Sequence, residues 1–141
     1  MVKGVGCDLI EIERMKKACE KEAFLSRVFT HEERRQAEGK PSVLAGTFAV
    51  KEAVSKVFGT GFRKFEIREI EVLRDPLGKP YVALWGRAAE TAKQKGIKRL
   101  EVSISDTKEY AMAFAVGEGD EKSEGNRRRK KTKTRGKGGA E

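Results

Sequence analysis

The chemistry this sequence offers is carried by scattered acids and a lysine. Asp8 lies in the otherwise apolar run Val2–Ile10, where an ionised carboxylate is costly unless a cation or hydrogen-bond donors satisfy it. A metal ion would supply that compensation; Asp8 could instead cap a helix starting near Glu11. Glu52 and Lys56 stand four residues apart in the favourable Glu-before-Lys order, which also describes an ordinary surface pair. Cys7 and Cys19 are too few for a disulfide scaffold and lack the clustered Cys and His of a zinc site, so reduced thiols are expected. His31, the one histidine, falls in a capping segment and is expected to be structural or exposed. Gly59-Thr60-Gly61 lacks the Gly-Lys-Ser/Thr ending of a nucleoside-triphosphate loop.

The elements that must position these side chains follow from hydrophobic spacing and its punctuation. Val2–Ile10 reads as a buried first strand, and residues 11–29 as an amphipathic helix. On that helix Ile12, Met15, Cys19 and Ala23 face inward, while Glu11, Arg14, Lys17 and Lys21 point elsewhere. Thr30 and Glu33 have capping-box spacing for a short helix through Glu38, closed by Gly39-Lys40-Pro41. Pro41 then opens a longer helix to Phe58, stopped by Gly59-Thr60-Gly61. Val43, Val50, Val54, Val57 and Phe58 form its core stripe. The opposite side carries Ala45, Phe48, Ala49, Glu52 and Lys56, and such a partly apolar second face suggests contact with another chain or a ligand.

Residues 66–73 and 80–85 form a hairpin around Asp75–Gly78. A helix over Ala88–Lys95 ends at Gly96, and strands Leu100–Ser105 and Tyr110–Val116 flank the turn Asp106–Glu109. Helices followed by hairpins argue for an α+β fold with an antiparallel sheet packed on the long helix.

A length of 141 residues, 38% of them hydrophobic, fits one domain. No run approaches the ~20 apolar residues of a membrane span, and Met1 leads into no signal-peptide core, so a soluble cytoplasmic protein without membrane contact is expected. Of the net charge of +9, +5 falls in residues 120–141, and no Leu, Ile, Phe or Val follows Val116. A folded domain over 1–117 and a disordered basic tail over 118–141 are expected. The tail's run Arg127–Lys131, with Arg14, Lys16, Lys17 and Lys21, leaves open an RNA- or anion-binding protein. Against it, the few aromatics sit at core-like positions and offer no stacking platform.

Two segments taken together resemble a family. Gly4-Val5-Gly6-Cys7-Asp8-Leu9-Ile10-Glu11-Ile12-Glu13-Arg14 is similar to the opening motif of the holo-acyl-carrier-protein synthases, small 4′-phosphopantetheinyl transferases. Phe48-Ala49-Val50-Lys51-Glu52-Ala53-Val54-Ser55-Lys56-Val57-Phe58-Gly59-Thr60-Gly61 is similar to their second motif. Arg27-Val28-Phe29-Thr30 with Glu33, Gly78-Lys79-Pro80 and Val102-Ser103-Ile104-Ser105 add to the likeness, which spans about residues 2–116.

The resemblance implies transfer of 4′-phosphopantetheine from coenzyme A to a serine of apo-acyl carrier protein, releasing adenosine 3′,5′-bisphosphate. It implies Mg²⁺ on Asp8 and Glu52, and Lys56 acting on the phosphates and leaving group. Gly59, Thr60, Gly61 and Ser103 would line the coenzyme A site. A homotrimer with active sites at subunit interfaces is also implied, with Phe48, Ala45 and Ala49 buried between chains. Carrier proteins of this class are acidic around the modified serine, so Arg14, Lys17 and Lys21 would dock them. The sequence departs from the family at two places. Thr47 stands where an arginine is usual and Asp106 where a histidine is usual, and both changes remove positive charge near a polyanionic substrate.

Overall fold

A ten-residue strand, β1 (Val2–Glu11), opens the chain and is followed by four helices: α1 (Ile12–Ala18), α2 (Glu22–Val28), α3 (His31–Ala37) and α4 (Pro41–Phe58). A 3₁₀ turn over Ile67–Glu69 leads into β2 (Ile70–Arg74) and β3 (Pro80–Leu84), then α5 (Gly86–Gln94), β4 (Arg99–Asp106) and β5 (Tyr110–Glu118). These elements come from a computed structural model that describes residues 1–121. The strands form two antiparallel sheets, β1-β5-β4 and the hairpin β2-β3, giving the α+β architecture expected from the element order.

The long helix α4 is the centre of the core. Pro41 sits in its first turn and Gly59 closes it in the left-handed region at φ 76°. Val50, Val54, Val57 and Phe58 are buried as the stripe predicts, against Ile70, Val72, Ala113 and Ala115 from both sheets. The face opposite the stripe is also covered, but by this chain. Ala45 and Ala49 are 0% exposed, and Phe48 packs on Phe24 with ring centroids 6.4 Å apart. The expectation that Ala45 and Ala49 lie between subunits is therefore corrected: Ala45 is buried in this chain with Met15, Val28 and Phe29 of the N-terminal helices, and Ala49 in the main core, while Phe48 is half-buried.

Those helices are also not the single helix expected over 11–29. The chain breaks at Cys19–Lys21, although no Gly or Pro marks the break, and Ala23 lies exposed instead of inside. The break redirects α2 so that Phe24 meets Phe48 while Val28 and Phe29 enter the core, a tertiary demand that local spacing does not encode. The capping box is present as predicted: Thr30 Oγ1 accepts from Glu33 N–H at 3.2 Å and Glu33 Oε1 accepts from Thr30 N–H at 2.7 Å. His31 is exposed.

The β1 strand is not buried on both faces. Gly6 and Ile10 turn inward or lie part-buried, whereas Val5, Cys7 and Leu9 are exposed with Met112 and Phe114 on the outer face of the sheet. β5 extends to Glu118, and Gly119 N–H donates to Met1 O at 3.0 Å, so ordered structure passes the boundary expected at residue 117. Residues 122–141 of the expected tail, Arg127–Lys131 included, lie outside the described residues. Among the described residues no helix is long and apolar enough to cross a membrane.

Candidate functional site

Two glycines bring the site together. A Cβ on Gly6 would stand 2.0 Å from Ala53 O and 3.0 Å from Lys56 Cβ; one on Gly4 would stand 2.6 Å from Val57 O. Only glycine lets β1 lie directly on the backbone of α4. Side chains alternate along a strand, so Asp8 continues the face of Gly4 and Gly6 toward the helix. There it meets Lys56, whose Nζ is 3.5 Å from Asp8 Oδ1 and donates to Cys7 O at 2.7 Å. Glu52, one turn earlier on α4, shares with Asp8 a cavity of about 510 Å³ that Arg14, Phe24, Phe48 and Tyr110 also line. Residues 44 apart in sequence thus converge on one place, as the two motifs together imply.

The electrostatics of this cluster favour a cation. Burial raises the Asp8 carboxyl above its usual range, against the pull of Lys56. Burial also raises Glu52, and the neighbouring Asp8 charge raises it further. Two part-buried carboxylates that repel one another, with a single amine 3.5 Å from one of them, leave negative charge uncompensated. Glu11 also lines the cavity, but among the described residues no three His, Cys, Asp or Glu side chains are grouped to hold a metal, so the site forms no closed protein cage. It does fit Mg²⁺, which uses one or two carboxylates and takes its other ligands from water and substrate phosphates. The reading of Asp8 as a helix cap is excluded: Glu11 holds the N-cap position of α1, with no side-chain cap bond.

The remaining predicted residues distribute unevenly. Arg14 reaches the cavity and Lys17 is exposed on the same helix, but Lys21 lies beyond the end of α1, at the N-cap of α2. Gly59, Thr60 and Gly61 follow α4 directly, one turn past Lys56. Ser103 is on the outer face of β4, with β5 between it and β1, and one chain does not bring it to Asp8. Sequence reasoning missed a second cavity of about 560 Å³, beyond Phe48 and Glu52, walled by Phe24, Phe62 and Ile67 and rimmed by Arg27 and Arg68. Its aromatics come from α2 and the loop after α4, and they read as ordinary core residues until the fold places them beside Glu52.

Residues 4–115 match the model of the 4′-phosphopantetheinyl transferase superfamily. The holo-[acyl-carrier-protein] synthase of Lachnoclostridium phytofermentans is 50% identical over 118 residues, covering 84% of this chain and 97% of that protein. The one from Caldanaerobacter subterraneus is 47% identical, over 84% of this chain and 97% of its own length. Among solved structures, the synthase from Neisseria meningitidis superposes with a TM-score of 0.76 at 35% identity, covering 84% of this chain and 99% of that one. The Helicobacter pylori synthase in complex with coenzyme A gives 0.73 at 30% identity, over 81% and 99%.

Proposed function

The chain belongs to the 4′-phosphopantetheinyl transferase superfamily, and from that premise we propose how its site works. The reaction is transfer of the 4′-phosphopantetheine arm of coenzyme A to an acyl carrier protein. The acceptor is a serine hydroxyl and the product released is adenosine 3′,5′-bisphosphate. Attack on a pyrophosphate asks the protein for positioning and charge neutralisation more than for covalent chemistry. Asp8 and Glu52 hold Mg²⁺, which when bound neutralises pyrophosphate charge and orients its oxygens. Lys56, tethered to Cys7 O one turn beyond Glu52, presents its ammonium to the same phosphates and stabilises the leaving group. The Gly59-Thr60-Gly61 stop allows close approach of the nucleotide, and Ser103 contributes from β4.

Arg14 and Lys17, with Lys21 at the next helix start, steer the acidic carrier protein to the mouth of the Asp8–Glu52 cavity. The enzyme works as a homotrimer in the cytoplasm. Its contact surface is the outer face of the β1-β5-β4 sheet, where Val5, Leu9, Met112 and Phe114 form an exposed apolar patch.

The observation that carries the reading is the convergence of Asp8 and Glu52 on one cavity, with Lys56 paired to Asp8 beside it. Incubation with coenzyme A, Mg²⁺ and an apo-carrier protein tests it. A phosphopantetheine mass increase on the carrier is expected. No transfer, together with salt-sensitive retention of RNA, would replace it with the nucleic-acid reading.

A further inference from the structure

Lys51 is a charged side chain that the reaction described above does not use, and it is fully buried. It stands one residue before Glu52 on α4, so the two side chains leave the helix about 100° apart, Glu52 into the cavities and Lys51 into the protein. The three N–H donors of its ammonium meet three acceptors: Glu33 Oε2 at 2.9 Å, Ile70 O at 2.6 Å and Ile67 O at 3.3 Å. Glu33 is also fully engaged, since Oε1 accepts from Thr30 N–H and Oε2 accepts from Val72 N–H as well as from Lys51. One ammonium therefore ties α4 to the N-terminus of α3, to the 3₁₀ turn and to the first residue of β2.

Stability alone does not call for this arrangement. A buried ion pair carries a desolvation cost, and apolar side chains of similar volume often serve the fold as well or better. Val50 and Val54 already supply apolar packing on the same helix. What the pair adds is direction: hydrophobic contact is non-directional, whereas three hydrogen bonds to acceptors on separate elements select one rotation of the helix. Rotation matters at Glu52. Among the described residues no ion pair holds its carboxylate, so the helix sets its place. Gly4 and Gly6 fix how near β1 comes to α4, against Val57 O and Ala53 O, but these are backbone atoms close to the helix axis. A turn of ~10° moves a side-chain end ~6 Å from that axis by about 1 Å. A displacement of that size can slow a reaction on the order of 10²-fold. The turn that Lys51 grips also carries Ile67 and Arg68, which wall the cavity that Glu52 lines from α4, so one ammonium fixes both sides of it.

We propose that Lys51 and Glu33 are positioning residues of the transfer reaction, holding α4 at the rotation that brings Glu52 into one metal site with Asp8. The inference rests on the transferase reading. The pair touches no substrate and acts through Glu52.

The test compares the wild type, E33Q K51M and I97A. The double variant removes both charges together and leaves no buried ion alone; Ile97 is a buried core residue outside the two cavities and serves as the weakened-fold control. Chemical denaturation gives the folded fraction, and the other measurements are made below the transitions. In E33Q K51M, Mg²⁺ should bind at least tenfold more weakly in calorimetry and kcat should fall tenfold or more, with KM for the carrier protein changed less than twofold. I97A should match the wild type in both per folded molecule. Wild-type Mg²⁺ binding and kcat in E33Q K51M, equal losses in I97A, or failure of E33Q K51M to fold would overturn the proposal and leave the pair as a brace of the fold. A wild type that binds Mg²⁺ but transfers nothing from coenzyme A would instead overturn the transferase reading.

Discussion

Asp8 and Glu52 are each held above the ordinary carboxylate range, by burial in both cases and by mutual repulsion at Glu52. The folded state therefore binds protons that the unfolded chain has released, so these groups cost stability as pH rises from about 4 through their raised values. Mg²⁺ needs both carboxylates ionised, so its binding should weaken as pH falls through those same raised values, at higher pH than an ordinary carboxylate pair would show. Titration of Mg²⁺ binding against pH checks the direction. The same charges set the outcome of substitution. D8N or E52Q should abolish transfer and Mg²⁺ binding while leaving the metal-free melting temperature equal or a few degrees higher. A lower melting temperature would mean the carboxylates brace the fold. Replacing Lys56 by Ala should cut kcat by about 10²–10³, in line with loss of one oriented charge in a transition state, with a smaller change in KM.

At the scale of elements, the site depends on how closely β1 lies on α4. G6A would drive a methyl into Ala53 O, and the strand must move to admit it. It should cost about 2 kcal/mol or more and impair transfer even where the protein is folded, which denaturation curves and assays below the transition would separate. A second tie fixes α4 from its other side. Lys51, fully buried beside Glu52 in sequence, places Nζ 2.9 Å from Glu33 Oε2 and donates to Ile70 O at 2.6 Å; Glu33 Oε2 also accepts from Val72 N–H at 2.8 Å. The pair joins α3, α4 and β2. K51M leaves Glu33 buried without its cation and should cost about 3–5 kcal/mol, with E33Q K51M recovering part of that in chemical denaturation.

Much of this layer was legible in the sequence. Pro41 and Gly59 bound α4, and Thr30 with Glu33 announced α3, because caps are local chemistry. The α1–α2 break and the cover over Ala45 and Ala49 were not, because amphipathic spacing says that a face is covered without saying by what. The nearness of Asp8 to Glu52 and Lys56 in the fold was legible only from the two motifs together, since nothing local links residues 44 apart.

For the whole molecule, the outer sheet face decides what one chain can do alone. Leu9 is 63% exposed in the single chain beside Met112 and Phe114, an apolar surface expected to close against other copies. L9D should give a monomer in sedimentation equilibrium at micromolar concentration; an unchanged trimer, or a wild type that is itself monomeric, would remove this face from the assembly.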